Sequence, residues 1–241
     1  MLFRQLFEPL SCTYTYVVGC PETGLAALID PVITMVERDL AEVARLGLKL
    51  AWTLDTHLHA DHITGARELK RRSGSRIAAP AFDRLPCADL WLEDGQPLAV
   101  GSIRINPLHT PGHTDGHFAY LLDDRVFTGD ALLIDGCGRT DFQHGGAAAL
   151  YHSVRDKLFT LPGETLVYPA HDYYGRRVSS VAQERMRNPR LGGARTLADF
   201  QALMAGLNLP RPKFIDYAVP GNRQCGVCPV EVPGHLRAYC P

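Results

Sequence analysis

Three imidazoles and a carboxylate crowd into six residues at His57-Leu58-His59-Ala60-Asp61-His62. Such a cluster is costly without a metal. Facing solvent it would be idle, and buried it would need a hydrogen-bond partner for each polar atom. The spacing suits nitrogen and oxygen coordination of a first-row metal. Three residues of the same kinds stand further on, each after an apolar run and a small or turn-forming residue. They are His113 in Thr110-Pro111-Gly112-His113-Thr114, Asp130 in Phe127-Thr128-Gly129-Asp130, and His171 in Tyr168-Pro169-Ala170-His171. Taken singly, each reads as a satisfied polar residue. In this order, behind the His57 cluster, they read as further ligands.

The elements that must position these residues follow from hydrophobic periodicity. Residues 13–18 and 25–29 read as strands, separated by the turn signal Pro21-Glu22-Thr23-Gly24. A helix capped by Thr34 runs to Leu46, with Val36, Leu40 and Val43 on one face and Gly47 as its stop. Residues 48–54 form a buried strand whose end delivers the chain into the histidine cluster, and a helix follows to about residue 72. Short strands are expected at 76–79, 103–108 and 165–168, with a hairpin of 117–122 and 125–128 around Asp123-Asp124. Helices are expected at 147–158, 178–186 and 196–205. Strands mixed with helices in this order predict a layered α/β architecture, and the lack of a linker or repeat predicts one domain over residues 1–241.

Composition narrows the function classes. With 46% hydrophobic and 21% charged residues the chain is of the globular type. Lys plus Arg (25) nearly balances Asp plus Glu (26), so no positive field favours nucleic acid or anionic lipid. No apolar run reaches the ~18 residues that cross a bilayer, and Glu8 and Pro9 interrupt the start where a signal peptide needs an apolar stretch. A cytoplasmic protein is expected. The seven cysteines are an odd number scattered over the chain, which predicts reduced thiols. Cys225-Gly226-Val227-Cys228, with Cys240 beyond, reads as a thiol-bearing tail, half a zinc site or a redox pair.

His57-x-His59-x-Asp61-His62 followed by a distant His, Asp and His resembles the metallo-β-lactamase superfamily, which implies an αββα sandwich. In its two-metal hydrolases the matching residues would place His57, His59 and His113 on one metal, Asp61, His62 and His171 on the other, and Asp130 between them. The flanking stretches at 56–65 (THLHADHITG), 110–116 (TPGHTDG), 127–143 (FTGDALLIDGCGRTDFQ), 168–174 (YPAHDYY), 188–191 (NPRL) and 219–226 (VPGNRQCG) resemble the persulfide dioxygenases. The likeness ends near Gly226, so a short cysteine-containing tail from about residue 227 lies outside it.

That resemblance implies one Fe(II) per chain on His57, His113 and Asp130, with zinc able to replace it on heterologous expression. His59, Asp61, His62 and His171 would then form a polar shell in place of a second metal site. It implies glutathione persulfide and O₂ as substrates, sulfite and glutathione as products, and a chain able to form a homodimer. Arg139, Tyr173 and Arg190 match positions of the glutathione pocket, where guanidinium forks suit carboxylates. Arg139 could equally brace its own loop through Asp141. The alternative is a binuclear zinc glutathione-thioester hydrolase resembling glyoxalase II. Residues 135–143 and the short C-terminal stretch count against it. A non-catalytic sulfur carrier using Cys225 and Cys228 fits poorly, because structural zinc sites are closed and thiolate-rich.

Overall fold

The aromatic and β-branched run TYTYVVGC forms a strand buried at every residue, β2 (Thr13–Cys20). In the computed structural model, which describes residues 1–240, β2 pairs antiparallel with β1 (Leu2–Glu8) and with β3 (Leu25–Ile29). Parallel pairing then adds β4 (Lys49–Leu54), β5 (Arg76–Pro80) and β6 (Leu90–Leu92), giving the sheet order β1-β2-β3-β4-β5-β6. The first two parallel crossovers are made through helices. α1 (Val36–Arg45) and α2 (Ala66–Ser73) provide them, burying Val36, Val43 and Leu69 against Val17, Leu28 and Leu50. Each such side chain contributes about 1.5–3 kcal/mol on burial.

The second sheet has the order β12-β11-β10-β9-β8-β7. Its strands are β7 (Leu98–Val100), β8 (Ile103–His109), β9 (Phe118–Leu121), β10 (Arg125–Gly129), β11 (Leu166–Pro169) and β12 (Ser179–Ser180). Only β10 and β11 run parallel. Val126 and Val167 of this sheet pack with Leu150 of α3 (Ala147–His152), with Val154 and Leu158 beyond it, and with Phe200 of α5 (Leu197–Ala205). α4 (Val181–Arg187) begins at Ser180, whose hydroxyl accepts from Gln183 N at 3.2 Å. α6 (Ile215–Asn222) closes the helix set.

The chain separates into two compact units. The first holds Met1–Leu92, Pro97–Ile105 and the residues from Arg211 onward; the second holds Glu93–Gln96 and Asn106–Pro210. β8 carries the chain from the first into the second. No helix among the described residues is long and apolar enough to cross a membrane.

Several expectations change. Thr34 caps nothing: Ile33–Met35 forms a 3₁₀ turn and α1 starts at Val36 without a side-chain cap. Tertiary contacts set that entry instead, since Val32 bridges Thr64 and Ile33 N donates to Ile63 O at 2.9 Å. The 147–158 helix widens after His152 into a π turn, with Phe159 N reaching Val154 O at 2.8 Å. The 178–186 helix starts later, because Ser179–Ser180 pairs with β11. Reduced thiols do not hold for four cysteines. Folding brings Cys87 and Cys225, 138 residues apart, to a Cα separation of 6.0 Å, and Cys228 and Cys240 to 5.7 Å; each pair is a disulfide. Cys225 and Cys228 therefore bond other partners than each other. Cys12, Cys20 and Cys137 form no disulfide among the described residues.

Candidate metal centre

In the first unit, the end of β4 delivers the histidine cluster beside the end of β3. Asp30 follows β3 in a left-handed conformation (φ 51°) and receives Thr56 N at 2.7 Å and Thr56 Oγ1 at 3.1 Å on Oδ1. The same hydroxyl lies 2.9 Å from His57 Nδ1. His59 Nε2 sits 3.1 Å from Asp30 Oδ1. Burial alone would pull the His59 proton affinity down, but the charge and hydrogen bond of Asp30, with Asp55 and Asp61 further off, outweigh it and raise the imidazole to about 9. Burial pushes Asp55 the other way for a carboxyl, up to about 7. His62 Nδ1 lies 2.9 Å from Asp61 Oδ2, which also receives the Thr13 hydroxyl at 3.3 Å. His57, His59, Asp61 and His62 are thus brought together as expected. Ring centroids are 4.1 Å apart for His57 and His59 and 4.3 Å for His59 and His62.

The backbone of this loop is held by Asn222, at the end of α6. Its Nδ2 donates to His59 O and His62 O, both at 2.9 Å, and its Oδ1 accepts from Thr64 N at 2.9 Å. Neither Asn222 nor Asp30 is visible as functional in the sequence, because a single polar residue far from the cluster carries no spacing signal.

In the second unit, Gly129 turns the chain at the end of β10 (φ 51°) and presents Asp130. Asp130 N donates to His117 Nε2 at 3.1 Å, so the His117 proton is on Nδ1, which reaches Thr110 Oγ1 at 2.9 Å. His117 is a third positioning residue that sequence reading missed. His113 Nδ1 donates to Arg139 O at 2.7 Å. This leaves the Nε2 lone pair facing Asp130 Oδ2, 3.4 Å away, and fixing one ring nitrogen in this way is how ligating imidazoles are oriented. His171 Nε2 lies 3.7 Å from Asp130 Oδ1. Gly138 allows the close return of the loop: a Cβ there would lie 2.6 Å from Asp130 O and 2.7 Å from His113 Nδ1.

The three residues expected to meet glutathione are also in this unit. Arg139 forks onto Asp141 at 2.6 and 2.7 Å and donates Nη1 to Pro210 O at 2.6 Å, so it braces its loop. Arg190 donates Nη1 to Cys137 O at 2.7 Å, while Asn188 Nδ2 donates to Gly136 O at 3.0 Å. The NPRL turn therefore fastens the loop that follows Asp130. Burial pushes the Cys137 thiol up to about 11, against the pull of Arg190, so it stays protonated at neutral pH. Tyr173 is 67% exposed and stacks on His171 with ring centroids 6.1 Å apart and planes at 6°.

The donors fit a metal. Asp130 Oδ1 is buried and has no hydrogen-bond partner, an arrangement that is costly unless a cation satisfies it. His59, Asp61 and His62 offer ligand atoms within 4.8 Å of one another. Imidazole with carboxylate, and no thiolate, suits zinc or non-haem iron.

Comparison with known proteins agrees with this chemistry. The metallo-beta-lactamase superfamily model matches residues 8–171. The human protein named "Persulfide dioxygenase ETHE1, mitochondrial" is 50% identical over 231 residues, covering 94% of this chain and 89% of that protein. The crystal structure of ETHE1 from Myxococcus xanthus superposes with a TM-score of 0.92 at 52% identity, covering 94% of this chain and 100% of that one. A hydroxyacylglutathione hydrolase from Rhodospirillum rubrum is 37% identical over 210 residues, covering 86% of this chain and 79% of that protein. With a conserved-length match at half identity to the first two and a more distant one to the hydrolase, the chain belongs to the metallo-beta-lactamase superfamily and, within it, to the persulfide dioxygenase family.

Proposed function

We propose that this protein oxidises the sulfane sulfur of glutathione persulfide with O₂, releasing sulfite and glutathione, at one Fe(II) held by His57, His113 and Asp130. The observation that carries this reading is the 50% identity to a persulfide dioxygenase over 94% of the chain. Two imidazoles and one carboxylate are a donor set suited to non-haem iron, which when bound would supply the redox chemistry that joins sulfur and oxygen. Because the superfamily match at residues 8–171 runs through both compact units, we take the chain to work as a single domain. We place the reaction in the cytoplasm, where glutathione supplies the persulfide.

The protein's own groups do the orienting. The Arg139 carbonyl holds the His113 ring with its Nε2 lone pair toward Asp130, and His117 holds the Asp130 backbone. His59, Asp61, His62 and His171 form the surrounding polar shell, in which Asp30 and Thr13 fix His59 and Asp61. Arg139, Tyr173 and Arg190 receive the glutathione moiety. Arg190 uses Nη1 internally, so its remaining donors suit a substrate carboxylate. Arg139 already spends Nε and Nη2 on Asp141 and Nη1 on Pro210 O, and contributes chiefly by shaping the pocket.

Assaying two glutathione derivatives with the same preparation separates this reading from a metal-hydroxide thioester hydrolase. Iron-loaded protein is expected to make sulfite from glutathione persulfide and to leave a glutathione thioester intact. Thioester cleavage without sulfite formation would reverse the assignment.

A further inference from the structure

The Cys87–Cys225 disulfide has no part in the chemistry above, yet it sits at the back of the histidine loop. Cys225 is buried, while Cys87 is half-buried. Both line a groove of about 770 Å³ in the first unit, which also carries Arg67, Lys70 and Arg71. Lys70 is paired with Asp89 at 2.6 Å and Arg71 with Glu68 at 2.6 Å. Arg67 makes no ion pair among the described residues and leaves the groove with one uncompensated cation. On its other side Cys225 lines a narrow cavity shared with His57, His59 and Asn222.

The segment carrying Cys225 is the one that holds the histidine loop. Cys225 N donates to Asn222 O at 2.9 Å, and Arg67 N donates to Cys225 O at 2.9 Å. Gly226 lies so close that a Cβ would fall 2.1 Å from Thr64 O. Cys225 itself adopts a left-handed conformation (φ 57°), which costs a non-glycine residue about 1–2 kcal/mol. The disulfide ties this segment to the chain between β5 and β6, and so supports the Asn222 amide in its grip on His59 O, His62 O and Thr64 N.

We propose that the Cys87–Cys225 disulfide is a thiol-exchange site for a small anionic thiol entering the groove. The incoming thiolate bonds to Cys87 Sγ, the accessible sulfur; the Cys87–Cys225 bond breaks, and its electron pair leaves on Cys225 Sγ, which takes a proton from water. A second thiolate attacks the ligand sulfur of the mixed disulfide and releases Cys87 as a thiolate. Two thiols are thereby joined by loss of two electrons, and the protein disulfide gains them. Opening the tether frees the segment that carries Asn222 and loosens the backbone of the histidine loop. The exchange itself uses neither the metal nor turnover.

The test uses the metal-loaded full chain with reduced glutathione as the anionic probe and 2-mercaptoethanol as the neutral one. Thiols are trapped by alkylation at timed intervals and the peptides weighed. Glutathione is expected on Cys87 and the alkyl group on Cys225, with amide hydrogen exchange at Thr64 and Arg67 rising about tenfold once the bridge is open. Arg67→Glu should slow the glutathione reaction about threefold relative to 2-mercaptoethanol, the size of one exposed charge contact. Cys87→Ser should show Cys225 alkylated and Thr64 exchanging fast before any thiol is added. Should that variant not fold, the readings on the parent chain decide. The proposal is overturned if Cys87 and Cys225 are trapped as free thiols before thiol addition, if glutathione leaves them bridged in the folded protein, if adducts form on Cys225 alone, or if Thr64 exchange is unchanged after reduction. None of these readouts requires turnover, so failure of the dioxygenase assignment would register separately.

Discussion

The two nitrogens of His113 have different work. Nδ1 gives its proton to the Arg139 carbonyl, and Nε2 is left with a lone pair beside Asp130. Replacing His57, His113 or Asp130 with Ala is expected to drop bound iron from one per chain to below about a tenth, whereas His62→Ala should stay loaded at stoichiometric iron, with affinity reduced about tenfold. Metal counting by mass spectrometry checks this, and loss of all metal from His62→Ala would point to a two-metal centre. Arg190→Ala should raise KM for glutathione persulfide about tenfold and leave iron content and kcat unchanged, as for the loss of a charge-assisted contact made equally in ground and transition states. A fall in kcat at saturating persulfide would show that its bond to the Cys137 carbonyl matters to the chemistry. At this scale the cluster of candidate ligands was legible because its spacing is unusual. Asp30, His117 and Asn222 were not, since each acts through folding onto a distant partner.

Among the elements, α1 holds the clearest titration. Asp39 is fully buried, and burial lifts its carboxyl from 3.8 to about 6, against the charge and hydrogen bond of Arg38. The folded protein therefore keeps this proton up to about pH 6 while the unfolded chain loses it near 3.8, so stability is highest below that lower value, falls as pH rises to about 6, and is flat above. The full difference is about 3 kcal/mol. Urea unfolding of Asp39→Asn against the parent should show the variant gaining about that much, relatively, between pH 4 and pH 7; a constant gap would contradict it. α6 makes a second case. Asn222→Ala strands two carbonyls and one N–H in the interior and is expected to cost about 3 kcal/mol, read as a shift in denaturant midpoint. A change within ~0.5 kcal/mol, the range of an ordinary surface substitution, would mean that the loop does not depend on that amide.

Long periodic elements such as β2, β3, α5 and the β9–β10 hairpin were legible from pattern alone. α6 was hidden because Pro220 and Gly221 look like helix breakers, while β6 and β7 have three residues each, too few for a period to show. β1 was passed over because its alternation becomes meaningful only once β2 is beside it.

For the whole molecule, balanced charge and ordinary composition gave no sign of a nucleic-acid or membrane partner and named no activity. The expectation of reduced thiols failed for a reason of scale: a bond between positions 138 apart is a property of the folded chain, and no local spacing announces it. Family membership rests on the match along most of the chain, since the seven candidate residues by themselves suit a one-metal or a two-metal site. What divides those two readings is whether oxygen is consumed. Iron-loaded protein with bound metal counted beforehand should take up O₂ only when glutathione persulfide is added, in equal amount to the sulfite formed, because a two-metal hydrolase has no use for oxygen. No persulfide-dependent uptake at full iron loading would contradict the dioxygenase assignment.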